Sequence, residues 1–201
     1  MKPINKLMKR LSLYVFLLLF TLQASSWADD IRDFQIEGMS VGDSALDYFS
    51  ENEIKNNTKK YYDDMTNFPF VAIEIYQHSL FKNYSGVQFH VKKNDKKYKI
   101  YSISGYDFYD NDIKGCYKKQ NEIDKELSKI FKETKRKYVS KKKHSADESG
   151  KSNVTYIMYR FKSGDFVSID CIDWSSKMKP RVDNLNISLV TKEFNDWLGK
   201  D

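Results

Sequence analysis

Few residues in this chain are of types that do chemistry at short spacing. Its 201 residues include two cysteines and three histidines. His78, His90 and His144 stand far apart, and neither His78 nor His90 has a paired carboxylate close in sequence. There is no G-x-S-x-G elbow and no H-E-x-x-H helix, so any hydrolase-like site would be assembled from dispersed positions around His78 or His90. Ser149-Gly150-Lys151-Ser152 resembles the end of a phosphate-binding loop. The first glycine of that motif would fall at Ser145, however, and no strand precedes it. Asp110-Asn111-Asp112 opens like a calcium loop, yet Lys114 takes the third ligand position and Asn121 the twelfth. A positive charge at a ligand position opposes a divalent cation. Asp112 is better placed to face the positive end of the helix that follows. These patterns point to no catalytic set, no metal site and no cofactor.

Cys116 and Cys171 carry the firmest chemical expectation, a disulfide. Cys116 opens a long amphipathic helix on its apolar stripe. Cys171 shares a strand face with Val167 and Ile169, because side chains alternate along a strand. A two-residue hairpin at Ser163-Gly164 puts Tyr156 and Met158 on that same face. A helix packed there brings the two sulfurs together. A redox pair or a metal site is the other use of two cysteines, but there is no C-x-x-C and no histidine at ligand spacing.

Lys135, Arg136, Lys137, Lys141, Lys142 and Lys143 form the densest basic run. It reads either as a solvated helix end or as a weak contact with an anionic surface or partner. Nucleic acid does not fit. Lys2, Lys6, Lys9 and Arg10 fall within residues 1–28, so the remaining chain holds 30 basic and 28 acidic residues, a formal charge of +2. Lysine also outnumbers arginine 29 to 5, the wrong bias for dense bidentate phosphate recognition.

Residues 1–28 read as a cleavable secretory signal. A basic start is followed by the apolar run Leu11–Leu22 and by Ser26 and Ala28 at small-x-small positions. The run is too short to span a bilayer. No cysteine lies near Ala28 to take a lipid. Export implies an oxidising compartment, the periplasm or beyond, which agrees with a disulfide.

Positioning elements follow from capping and periodicity. Ser40 with Asp43, and Ser50 with Glu53, open two short helices, the second reaching Tyr61. Strands are expected over 70–77, 86–93 and 98–104, the last two joined around Asn94-Asp95. In the third, Ile100 and Ser102 share a face. Residues 116–138 have the pattern of a long helix with Ile123, Leu127, Phe131 and Tyr138 on one stripe and a Glu133–Lys137 pair outside. Residues 139–153 lack periodicity and read as a mobile loop. Strands follow over 154–161, 165–173 and 185–189, then a helix capped by Thr191. The expected class is α+β, an antiparallel sheet or sheets with helices packed on one face, in the order αα-βββ-α-βββ-α. Residues 29–201 form one domain, with 29–110 and 111–201 as possible αβββ halves.

The stretch Phe34-Gln35-Ile36-Glu37-Gly38-Met39-Ser40, leading to Val41, Ala45 and Phe49, resembles the start of small outer-membrane assembly lipoproteins of SmpA/OmlA type. Their fold is shared with β-lactamase inhibitor protein. That resemblance implies two short helices before a three-stranded sheet, and a non-catalytic protein-binding module. The whole chain is also similar to small exported bacterial proteins of unknown function, in Ile36–Ser50, the paired cysteines and the Phe194–Leu198 helix. The combined expectation is an exported, non-enzymatic envelope module whose partner is a protein or small ligand, with no membrane span after signal cleavage.

Overall fold

A computed structural model describes residues 30–61 and 69–199. The expected signal at 1–28 lies outside the described residues. The strands are β1 (Thr58–Lys59), β2 (Phe70–Tyr76), β3 (Gly86–Lys92), β4 (Ile100–Phe108), β5 (Lys135–Lys143), β6 (Asn153–Arg160), β7 (Phe166–Asp173) and β8 (Asn184–Val190). The helices are α1 (Glu51–Asn56), α2 (Ile113–Ile130) and α3 (Lys192–Leu198). The strands form one eight-stranded antiparallel sheet in the order β1-β2-β3-β4-β8-β7-β6-β5. Two meanders meet where β4 pairs with β8, from Ser102 opposite Val190 to Phe108 opposite Asn184. One sheet therefore runs through both halves of the chain. Among the described residues no helix is long and apolar enough to cross a membrane.

The N-terminal helices are shorter than their capping signals suggest. Ser40 donates its N–H to Asp43 Oδ2 at 2.8 Å, but Gly42 sits at φ +97 and breaks the right-handed path. A single 3-10 turn, Ala45–Asp47, replaces the first helix. Val41, Ala45 and Phe49 are buried all the same. Ser50 and Glu53 form the expected capping box. The helix they open ends at Asn56, because Thr58 and Lys59 pair with β2.

Helix α2 is capped by Asp112, which accepts from the Gly115 N–H at 3.0 Å. It stops at Ile130, eight residues before the expected end. Lys135–Lys143 is instead an edge strand paired with β6. Tyr138 and Val139 are strand formers, and pairing satisfies the backbone groups that β6 would otherwise leave open. Glu133 pairs with Lys162 at 3.5 Å rather than with Lys137. The connection after β5 is stitched by Asp147. Its carboxylate accepts from Ser149 N–H at 2.9 Å, Ser152 N–H at 2.8 Å, Ser152 Oγ at 2.6 Å and Ser175 Oγ at 3.0 Å. Those donors, Ser152 foremost, hold the Asp147 carboxyl well below the usual range. The phosphate-loop look of 149–152 is the backbone of this turn.

Helices lie on both faces of the sheet, not on one. On the core face α2 packs on β7 and β8, and Cys116 bonds to Cys171. Ile123 and Leu127 join Ile157, Ile169, Leu185, Ile187 and Leu189 there. On the other face Phe194 of α3 packs with Phe70, Phe166 and Val190. Thr191 caps α3 as expected, accepting from the Phe194 N–H at 3.3 Å. The observed order is α1-β1-β2-β3-β4-α2-β5-β6-β7-β8-α3.

Two register details decide which side chains face where. The β6–β7 loop is longer than two residues, with Phe161 N–H on Asp165 O and Gly164 at φ +95. Thr155, Ile157 and Tyr159 therefore oppose Cys171, Ile169 and Val167. Tyr156 and Met158, expected beside Cys171, take the opposite face, since a one-residue change of register flips every side chain. In β4 a bulge opposite His90 and Val91 shifts the phase. Ile100 and Ile103 both enter the core while Ser102 faces away.

Replacing both cysteines with alanine frees a link spanning 55 residues and is expected to lower unfolding free energy by about 4 kcal/mol. Guanidinium unfolding of the Cys116→Ala, Cys171→Ala variant measures it. An unchanged midpoint would contradict the clamp.

Candidate binding site on the polar sheet face

Alternation and register lay two rows of side chains across the face opposite α2. One row runs Glu74, Gln88, Ser104, Ser188, Ser168 and Met158 from β2 to β6. The next runs Tyr76, Gly86, Tyr106, Asn186, Asp170 and Tyr156. Helix α3 covers a third row, around Val190 and Phe166. No described helix covers the first two.

These rows are polar and internally bonded. Ser104 Oγ and Ser188 Oγ lie 2.8 Å apart, and Ser188 donates to Asn186 Oδ1 at 3.1 Å. Glu74 Oε1 accepts from Gln88 Nε2 and Tyr61 Oη, both at 2.6 Å. Tyr106 Oη donates to Gln88 Oε1 at 3.1 Å. Ser104, Ser168 and Ser188 are each no more than 5% exposed. Small residues between tall neighbours make a floor rather than a flat surface.

Asp170 is the exception in this network. Ser168 Oγ donates to its Oδ2 at 3.3 Å, while Oδ1 is out of water contact and has no hydrogen-bond partner among the described residues. Burial pushes its carboxyl up to about 7, against a small opposing pull from Ser168. It sits between Tyr156 and Asn186 in the floor of a hollow of about 430 Å³. Val154, Met158, Phe166 and Ile172 supply apolar walls, and Lys142, Lys143 and His144 form one rim. Apolar side chains around a few convergent polar groups make the hollow a candidate small-molecule site.

The residues singled out from sequence are dispersed. Cys116 and Cys171 are bonded to each other in the core. Lys135, Lys137, Lys141, Lys142 and Lys143 are exposed along edge strand β5, where lysines discourage edge-to-edge pairing. Arg136 is committed to Asp124, with Nε at 2.9 Å and Nη2 at 2.8 Å from the two carboxylate oxygens. Only Lys142 and Lys143 reach the hollow. His90 is buried with its ring 4.3 Å from that of Phe194, and burial lowers it to about 3. His78 accepts the Leu80 N–H on Nδ1 at 3.2 Å, and its Nε2 lies 3.5 Å from Glu53. Ser50 binds the far oxygen of that carboxylate as a helix cap, at 2.6 Å. The hydroxyl thus meets the acid rather than the imidazole.

Sequence reasoning missed Asp170, Asn186, Ser168 and Tyr156 as a group. The signal for the first three is present: polar residues alternating with Val167, Ile169, Cys171, Leu185 and Ile187 on two strands. Comparison with protein-family models, with curated proteins and with solved structures gave no match.

Asp170 and His90 bias stability in opposite directions. His90 is depressed in the folded state, so its contribution is present above its unfolded value and is lost as pH falls. Between about pH 7 and 5 that loss is about 2 kcal/mol. Asp170 is raised, so its contribution is full below its unfolded value and lost as pH rises through about 7. Asp170→Asn is therefore expected to stabilise the protein by roughly 2–4 kcal/mol at about pH 8 and to change little at about pH 4. Urea unfolding at both pH values tests this, and a variant effect independent of pH would contradict it.

Proposed function

We propose that the chain is an exported, non-enzymatic binding module of the bacterial envelope whose small-molecule ligand seats in the hollow over Asp170. One observation carries this reading: Asp170 Oδ1 lacks both water contact and a hydrogen-bond partner on a face that no described helix covers. Leaving a buried acceptor unsatisfied costs stability. Such a group persists where something else in its working state satisfies it.

Export and the periplasm are part of the proposal. The signal-like character of 1–28 and a disulfide both suit an oxidising compartment. The resemblance of 34–40 to SmpA/OmlA-type modules points to binding rather than catalysis. A hydrolase built on His78 or His90 has less support. His90 lies under Phe194, and both nitrogens of His78 face other groups.

The test is native mass spectrometry of the full chain, expressed in a bacterial host and exposed to small molecules extracted from the envelope. The wild-type protein is expected to carry an added small-molecule mass that Ser168→Trp, which fills the floor, loses while keeping its circular dichroism spectrum. Equal capture by both, or capture by neither, would refute the reading.

A further inference from the structure

We propose that the hollow takes a small zwitterion with an apolar body, its primary ammonium on Asp170 and its carboxylate or phosphate at Lys142. This rests on the reading of the hollow as a binding site and adds the chemical class of the ligand.

Asp170 Oδ1 is left open to a donor from a ligand: the nearby Ser168 hydroxyl is spent on Oδ2, and neither Tyr156 nor Asn186 beside it donates to Oδ1. An ammonium supplies donors and charge together, and charge-assisted bonds are the stronger kind. Lys142, opposite Val154 on β5, stands at the other end on the same face. A simple anion would meet Asp170, and a simple cation would meet Lys142. A dipolar molecule with its positive end inward satisfies both. Val154 and Ile172 lie in the row that leads from Asp170 to Lys142 and ask for an apolar middle, while Met158 and Phe166 line the hollow beyond Asp170.

Other charged groups around the site are already engaged or are neutral. Arg160 lies 5.0 Å over the Phe166 ring and donates to Gly164 O at 2.9 Å. His144 packs 4.3 Å from Trp174, and burial lowers its pKa, with Arg181 adding to the effect. Glu74 accepts from Tyr61 and Gln88 on the far side of the floor, where Tyr106 stays protonated through burial. None supplies a positive group to Asp170 Oδ1. An apolar amino acid or short peptide has the required ends and middle. A phosphoethanolamine headgroup with its attached chains has the same chemistry.

Isothermal titration of the full chain at neutral pH separates these sources. The probes are leucyl-leucine, N-acetyl-leucyl-leucine, leucyl-leucinamide, O-phosphoethanolamine and phosphatidylethanolamine vesicles. Leucyl-leucine or the phosphoethanolamine probes are expected to bind. Binding to vesicles without binding to the dipeptide assigns the ligand to lipid, and the reverse assigns it to free peptide. N-acetylation or amidation of a bound dipeptide is expected to weaken binding about tenfold or more. For whichever probe binds, Asp170→Asn removes the preference for a free ammonium, and Lys142→Ala removes the preference for an anion. Asp170→Asn is expected to fold, since it relieves a buried charge. Equal affinity for blocked and free forms, or no binding by any zwitterionic probe, would overturn the proposal. If native mass spectrometry still finds a neutral or purely anionic molecule in the hollow, the binding reading stands and only the zwitterion falls. An empty hollow in both experiments refutes the two together.

Discussion

Everything on the sheet face opposite α2 depends on the pairing of β4 with β8. The two strands are far apart in the chain, with Ser104 and Ser188 separated by 84 residues. Their register sends Leu185, Ile187 and Leu189 to the core with Ile103, and Asn186 and Ser188 to the opposite side with Ser104. Because side chains alternate, the same pairing that buries the apolar set builds the polar floor. A one-residue slip would put leucines on the open face and asparagines in the core. The core thus enforces the register, and the register places Asp170 beside Asn186.

Helix α2 holds this arrangement from behind at three points spaced four residues apart. Cys116 is bonded covalently to β7. Gln120, buried, donates to Thr155 O at 2.8 Å and Ile169 O at 2.6 Å. Asp124 takes the Arg136 fork from β5 and the Tyr159 hydroxyl from β6. The spacing keeps all three on one helix face. Covalent, neutral and charged links therefore bind one helix to three neighbouring strands. At the other end of the core face, Glu37 turns the chain at φ 51 and accepts the N–H groups of Lys82, Asn83 and Tyr84 at 2.6 to 2.9 Å. That ties the N-terminal turn to the β2–β3 connection and offsets a strained backbone.

Local signals were legible in the sequence, and signals that depend on pairing were not. The Ser50 capping box, the Thr191 cap, the alternation of β8 and the disulfide could be read from residue type and spacing. The end of α2 could not. Lys135–Lys143 suits a helix or a strand, and only the open edge of β6 decides between them. The disulfide follows from a helix lying on the Val167, Ile169, Cys171 face, which is where α2 lies. The companions Tyr156 and Met158 were misplaced, because the hairpin loop is longer than two residues. The longer loop sets Tyr156 beside Asp170, a neighbourhood that residue type and spacing alone do not mark. Tyr101 at the β4 bulge hid the shared burial of Ile100 and Ile103 in the same way.

A scaffold clamped on one face and polar on the other suits binding by a preformed surface, with little rearrangement required. Everything in that account is downstream of the central strand pair. Cross-strand nuclear Overhauser contacts between β4 and β8 in isotope-labelled protein test it most directly. The account predicts contacts that place Ser104 opposite Ser188 and Tyr106 opposite Asn186. Contacts confined to each meander, or shifted by one residue across the centre, would contradict it.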